Sequence, residues 1–228
     1  MAVRRNAARE ESPVENQSQP EAKDRKRRTQ AERTALSDQR MFDAAISLIN
    51  ERGTQKTTLK EIGELAGYSR GLANYRFGSK ENLLDELFTR FDRRWKAHLQ
   101  SHVAGQAGIA ALRAAARALR DFLKLESNYM RAMYVLWYES LGHESTIRNR
   151  LADHHDVYRK DAAKWLRQGI ASGEIDPRTN PEQFAVQYCS FIFGTVYQWL
   201  VKAEALDLDA LFDDYDSNTI KLLSKGAT

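Results

Sequence analysis

The chain has 228 residues, 42% of them hydrophobic and 29% charged, with a formal net charge of +4 and a single cysteine, Cys189. That length and apolar content allow a substantial buried core, while one cysteine excludes an intramolecular disulfide framework and suits a reducing compartment, the cytoplasm. Charge is divided unevenly, with 20 Lys and Arg against 15 Asp and Glu in residues 1–100 and 15 against 16 in residues 101–228, so a polyanionic partner belongs to the first half.

Residues 1–35 mix Arg and Lys clusters with Glu, Gln, Ser and Pro and hold almost no large apolar side chain. They are expected to form a disordered basic extension, because they cannot bury enough surface to offset the entropy of ordering. Nothing before Leu36 supplies the apolar run of a secretory signal. The basic run over 23–33 either tracks phosphates beside a main DNA footprint or is a solvated tail. A first helix is expected over 37–52, with Leu36 and Met41 as a hydrophobic staple across a Ser37 cap and Phe42, Ala45, Ile46 and Ile49 turned inward.

Residues 58–84, TLKEIGELAGYSRGLANYRFGSKENLL, carry the most information. Thr58 followed by Glu61 is a capping box, in which the hydroxyl accepts the N–H of residue 61 and the carboxylate reaches back to the N–H of residue 58. Ile62, Leu65 and Ala66 give the short helix an apolar stripe, and Gly67 ends it with the residue best suited to positive φ. Ser69 is placed to cap a second helix over about 69–75. Two helices joined so closely must cross steeply, which pushes the second outward as a major-groove reader: a helix-turn-helix. From Tyr68 to Lys80 there are three cationic residues, Arg70, Arg76 and Lys80, and no acidic one. Arg70 has the forked donors suited to guanine O6 and N7, Asn74 suits adenine or a phosphate, and Tyr75 and Lys80 suit the backbone. Gly71 permits close approach at a cost of about 1 kcal/mol in helix propensity relative to Ala.

A fourth helix is expected over 79–102, its stripe of Leu84, Leu87, Phe88, Phe91 and Trp95 leading from the DNA end into the rest of the molecule. Further helices are expected over 109–125, 128–141, 145–171, 181–202 and 208–223, with breaks such as 172–177 between them. No strand and no solenoid repeat is expected, so the fold class is all-α. Residues 184–201 contain no charge and approach the length of a membrane span, but Gln187, Ser190, Thr195 and Gln198 interrupt them. No membrane partner is expected. A helix apolar on most sides suits the centre of a dimer instead, with Phe191, Gly194 and Trp199 as interface candidates.

Residues 36–84 resemble the N-terminal domain of the TetR family of bacterial transcriptional regulators. The likeness rests on the helix end at Arg52-Gly53, the helix starting at Thr58, the Ala66-Gly67 turn and the signature RGLANYRFGSKENLL with Phe77, Ser79, Lys80 and Leu83. It implies DNA contacts from Thr58, Ser69, Arg70, Gly71, Tyr75 and Lys80. Asn74 and Arg76 complete the candidate set, although many relatives have an aromatic residue and a histidine at those positions. The resemblance further implies residues 36–84 as a DNA-binding domain, residues 85–228 as a helical ligand-binding and dimerisation domain, and helix four as the connection. The implied function is a homodimeric repressor released from an inverted-repeat operator on double-stranded DNA by a small-molecule effector.

The second half is rich in aromatic and methionine side chains, which suit either core packing or a pocket for an amphipathic or apolar molecule. Phe122, Met133, Trp137, Tyr158 and Trp165 are the pocket candidates. His98 and His102 are spaced for one helix face and His154-His155 adds two imidazoles, but no cysteine or carboxylate completes a metal set, and solvent-facing histidines are the simpler reading. No nucleophile elbow, Walker loop, Rossmann glycine pattern or zincin motif occurs, so neither an enzyme nor a cofactor is expected. Two alternatives stand beside the ligand-responsive repressor: a constitutive DNA-binding dimer without an effector, and a metal-responsive regulator.

Overall fold

The computed structural model describes residues 29–142 and 145–224, without the side chain of Arg70. Among the described residues the fold is all-α, with helices α1 (Gln30–Arg52), α2 (Leu59–Leu65), α3 (Arg70–Phe77), α4 (Lys80–Val103), α5 (Gly108–Leu125), α6 (Ser127–Ser140), α7 (Thr146–Ala171), α8 (Pro181–Val201) and α9 (Leu208–Tyr215).

α1 starts seven residues earlier than the Ser37 cap would place it. Thr29 and Glu32 form a full capping box: the Thr29 hydroxyl accepts the Glu32 N–H at 3.2 Å, and the Glu32 carboxylate accepts the Thr29 N–H at 2.8 Å. Gln30, Ala31, Glu32 and Arg33 are good helix formers, so the helix runs through Ser37 without a break. Residues 30–35 therefore belong to α1 and not to the extension; residues 1–28 of that extension lie outside the described residues.

The last helix is shorter than its sequence pattern. α9 ends at Tyr215, and the chain continues as a π-helical turn, Asp216–Ile220, and a 3-10 turn, Lys221–Leu223. Asp216, Ser217, Asn218 and Thr219 are weak helix formers, and the altered winding allows both Ile220 and Leu223 to be buried.

Two apolar clusters organise the molecule. The larger begins between α1, α2 and α3, where Phe42 meets Phe77 edge to face at 5.4 Å. It continues along Leu83, Leu87, Phe88 and Phe91 of α4 to Met130, Met133 and Trp137 of α6 and Val196 and Leu200 of α8. α4 thus shares one continuous core with both ends of the molecule, as its stripe indicates. The smaller cluster joins α5, α7, α8 and the C-terminal turns through Leu112, Leu166, Ile175, Tyr188 and Ile220. No helix of the described residues is long and apolar enough to cross a membrane, α8 included.

Candidate nucleic-acid interface and interior cavity

α2 begins after Thr58, whose hydroxyl accepts the Glu61 N–H at 3.3 Å. The Glu61 carboxylate in turn accepts the Thr58 hydroxyl proton at 2.6 Å and meets Arg52 at 3.0 Å. The hydroxyl bond, with Arg52 beside it, holds the Glu61 carboxyl below the usual carboxylate range. The turn is made by Gly67 at φ 81°, with the Tyr68 N–H donating to the Gly63 carbonyl at 2.9 Å. Gly63 itself sets the crossing of α2 and α3: a Cβ there would lie 3.2 Å from the Ser69 carbonyl oxygen and 3.5 Å from the Ala73 Cβ.

Ser69 has the extended backbone of an N-cap, but its hydroxyl makes no capping bond. The Leu72 N–H that it would accept is bonded at 3.0 Å to the Ser69 carbonyl instead. Arg70 opens α3, with its side chain outside the described residues. Gly71, Asn74 and Tyr75 are exposed, and Tyr75 is 89% exposed, an uncommon position for an aromatic side chain that has nothing to meet. A Cβ on Gly71 would meet no atom within 4 Å.

Arg76, a candidate DNA contact, is held here as a brace between helices. Its Nε and one terminal nitrogen donate to both Asp38 oxygens at 2.9 Å, and its terminal nitrogens donate to the two Glu86 oxygens at 3.2 and 3.1 Å. The guanidinium carbon also lies 4.9 Å from the Phe77 ring centroid. These bonds, that to Asp38 foremost, raise its basicity further and tie α3 to α1 and α4. Sequence order hides this, because Asp38 is 38 residues away. Lys80 donates to the Thr54 carbonyl at 3.2 Å, which leaves two of its three ammonium protons for other acceptors. Thr54 is buried, and both its N–H, at 3.1 Å, and its hydroxyl donate to Glu139 of α6. The loop after α1 is thus clasped from α4 and from α6.

A cavity of about 60 Å³ lies among α4, α5, α6, α7 and α8. Trp137, Tyr158 and Trp165 line it, as the sequence suggested, together with Trp95, Tyr134, Tyr188 and Phe193. Phe122 and Met133 do not. Phe122 is packed against Phe91, Trp95 and His98, and Met133 is fully buried in the larger core, because their positions on α5 and α6 face neighbouring helices and not the gap. Burial raises the hydroxyls of Tyr134, Tyr158 and Tyr188 above the ordinary phenol range and pushes the Cys189 thiol up to about 11, so these four side chains are uncharged near neutrality. Sequence reasoning missed two lining residues with polar ends, His154 and Asp161. The signal was available: His154, Tyr158, Asp161 and Trp165 recur at spacings of four, three and four on α7.

His154 is buried and not solvent-facing, with its Nδ1 2.9 Å from Asp92. His155 packs on Phe193 at 4.5 Å; burial, then His154 and Arg159, lower its pKa to about 4. His98 and His102 lie with ring centroids 4.4 Å apart, tilted at 40°, and turn ring nitrogens to the carbonyls of Ala118 and His98, each at 2.9 Å. Among the described residues no three His, Cys, Asp or Glu side chains converge as a metal set.

On α8, Phe191, an interface candidate, is drawn toward its own chain, stacked on Tyr215 at 3.7 Å and edge-on to Phe212 at 5.6 Å. The bend of the chain after Tyr215 brings those rings back onto α8. Trp199 is half-buried against the larger core. Gly194 has open space where a Cβ would be, and Val186, Tyr197 and Val201 are exposed along the same helix.

Residues 42–87 match the family model for bacterial regulatory proteins, tetR family. Over those residues the chain matches the TetR family. An HTH-type transcriptional regulator BetI of Burkholderia thailandensis is 31% identical over 110 residues, which are 47% of this chain and 56% of that protein, so the chain spans about half the length of the curated relatives it matches. Among solved TetR-like folds, NalD, described as the secondary repressor of the MexAB-OprM multidrug efflux pump in Pseudomonas aeruginosa, superposes with a TM-score of 0.67 at 18% identity, over 85% of this chain and 99% of that one. FadR of Bacillus subtilis in complex with stearoyl-CoA gives 0.67 at 22%, over 83% and 99%. These likenesses show the TetR fold across both halves. The family match stops in α4, before the cavity.

Proposed function

We propose that the protein is a homodimeric transcriptional regulator, a repressor that binds an inverted-repeat operator through α3 and releases it when a small molecule enters the cavity. The observation that carries the DNA reading is the division of labour on α3. Arg76, bonded to Asp38 and Glu86, fixes the helix from behind, while Gly71, Asn74 and Tyr75 lie bare on the other side with Arg70 at the N-terminus. Thr58, Ser69 and Lys80 extend this contact set at the neighbouring helix starts. One such helix covers only a half-site, so a second copy is required; Gly194, Val186, Tyr197 and Val201 on α8 form its proposed interface, with Trp199 at the margin.

Release follows from linkage. A ligand that fits better when the two α3 helices are misplaced lowers operator affinity by the same factor by which operator lowers ligand affinity. The relatives described as a repressor and as a stearoyl-CoA complex favour this reading. One observation favours the constitutive binder: a cavity of about 60 Å³ is far below the roughly 300–1,000 Å³ of occupied ligand pockets, so it must widen to work.

The test is duplex binding by the full chain on selected operator sequences. Arg70→Ala is expected to weaken binding mainly at one operator position, and Lys80→Ala to weaken all duplexes alike and reduce the salt slope by about one. Equal losses on operator and random duplex for Arg70→Ala remove it from base reading. A monomer in sedimentation at full operator affinity ends the dimer, and absence of salt-dependent duplex binding ends the assignment.

A further inference from the structure

We propose that the cavity accepts an organic cation with an apolar body, and that Asp161 is its counter-charge. The proposal rests on the reading of this cavity as the effector site and names the class of effector. Among the described residues, Asp161 is the only Asp, Glu, Lys or Arg of the cavity wall. It stands on the α7 stripe between Tyr158 and Trp165, half-buried, with no ion pair or hydrogen bond among the described residues. The rest of the wall is dominated by rings, whose faces carry the negative part of the aromatic quadrupole. Ring faces and a carboxylate therefore set one sign of potential inside the cavity, and it is negative.

Three polar atoms of the wall lack partners: Nε1 of Trp95, Nε1 of Trp137 and Nε2 of His154. Trp137 and His154 are more than nine-tenths buried, at 6% and 8% exposure, and unpartnered polar groups at that depth are rare unless a ligand or water completes them. The indole N–H groups add a weaker preference for an oxygen acceptor on the same molecule. Burial also raises the Asp161 carboxyl above its ordinary value, against the opposing pull of Lys164 and Lys96, as fits a carboxylate short of a close partner. An anion would be repelled by Asp161, because Lys96 and Lys164 stand outside the cavity wall, and a neutral ligand would bury the carboxylate further without compensation.

The route of entry passes the same residue. A groove of about 520 Å³ lies against α4 and α7 and shares Trp95, Leu99, His154, Tyr158 and Asp161 with the cavity. Trp95 and Tyr158, edge to face at 6.2 Å, belong to both spaces, so a shift of those rings would join them. The groove also carries Lys96 and Arg150, but Arg150 is bonded to Asp85 and Asp92 and Lys96 is exposed, so the cationic groups stay at its outer wall.

The test compares three probes on the full chain by tryptophan fluorescence and thermal melting: benzyltrimethylammonium, its neutral carbon isostere neopentylbenzene, and benzoate. Benzyltrimethylammonium is expected to bind about tenfold or more tighter than neopentylbenzene, with benzoate weakest. Asp161→Asn should erase that preference while leaving neopentylbenzene binding and the melting temperature of the free protein unchanged, and Asp161→Glu should retain it. Equal or tighter binding of neopentylbenzene or benzoate, a preference unaltered in Asp161→Asn, or no binding of any probe overturns the proposal. Operator release separates it from the wider reading: benzyltrimethylammonium that binds through Asp161 without lowering operator affinity supports the cation site and counts against effector control, whereas release by benzoate overturns the cation site and keeps effector control.

Discussion

At Gly71 an added methyl group meets no atom within 4 Å, so the glycine serves nothing inside the free protein. Glycine in an exposed helix costs about 0.5–1 kcal/mol relative to alanine, and Gly71→Ala is therefore expected to raise stability by about that amount in urea unfolding. The same methyl group projects from the proposed DNA face, so operator affinity should fall while stability rises; unchanged affinity would free Gly71 from any part in the contact. Arg76 makes the opposite case. Its side chain is 33% exposed, so solvent screens it, yet four hydrogen bonds to two carboxylates fix its plane. Arg76→Ala should destabilise by about 1–2 kcal/mol, discounted for that exposure, and should weaken operator and random duplex by similar factors, because it loosens α3 without removing a base contact.

Among the elements, α6 links the two ends of the molecule. Trp137 lines the cavity, and Glu139, two residues on, accepts both donors of the buried Thr54 in the loop after α1. A displacement of α6 therefore reaches the DNA-binding helices directly, beside the route through the shared core of α4. Glu139→Ala leaves two donors without an acceptor and should cost about 1–3 kcal/mol in thermal or urea unfolding, whereas Glu139→Gln, which keeps an acceptor oxygen, should cost less. With an effector in hand, the alanine variant should also lower the coupling between effector and operator binding. If both variants melt with the wild type, the clasp is not an anchor.

For the whole molecule, stability should carry an acid limb from His155. Its pKa lies near 4 in the folded chain against 6.5 in the unfolded one, so the unfolded state binds more protons between those values. Stability contributed by the neutral ring is thus complete above about pH 6.5, falls as the pH drops through the window, and is lost below about 4. Because the ring is only half-buried, the loss should amount to about 1–2 kcal/mol and not the full linkage value. His155→Phe, which keeps a ring against Phe193, should flatten melting temperature against pH between 6.5 and 4 relative to the wild type. A parallel slope in the variant would assign the limb to other groups.

What could be read from the chain alone is what four or five neighbouring residues decide. The α2 start at Thr58, the left-handed turn at Gly67, the Asn180-Pro181 opening of α8 and the inward stripe of α4 are all relations within about one helical turn, set by capping and periodicity. The Thr29 capping box is a relation of the same local kind, set among the charges of the extension. Tertiary structure decided whatever depends on partners distant in sequence. Arg76 reads as one more cation until Asp38 and Glu86 arrive from α1 and α4. Phe122 and Met133 read as pocket residues until helix packing turns them into the core, and His154 reads as exposed until Asp92 and the surrounding rings bury it. The physical reason is that a side chain's type and helical face follow from local spacing, whereas its donors, its charge environment and the space before it depend on which other helix lies opposite.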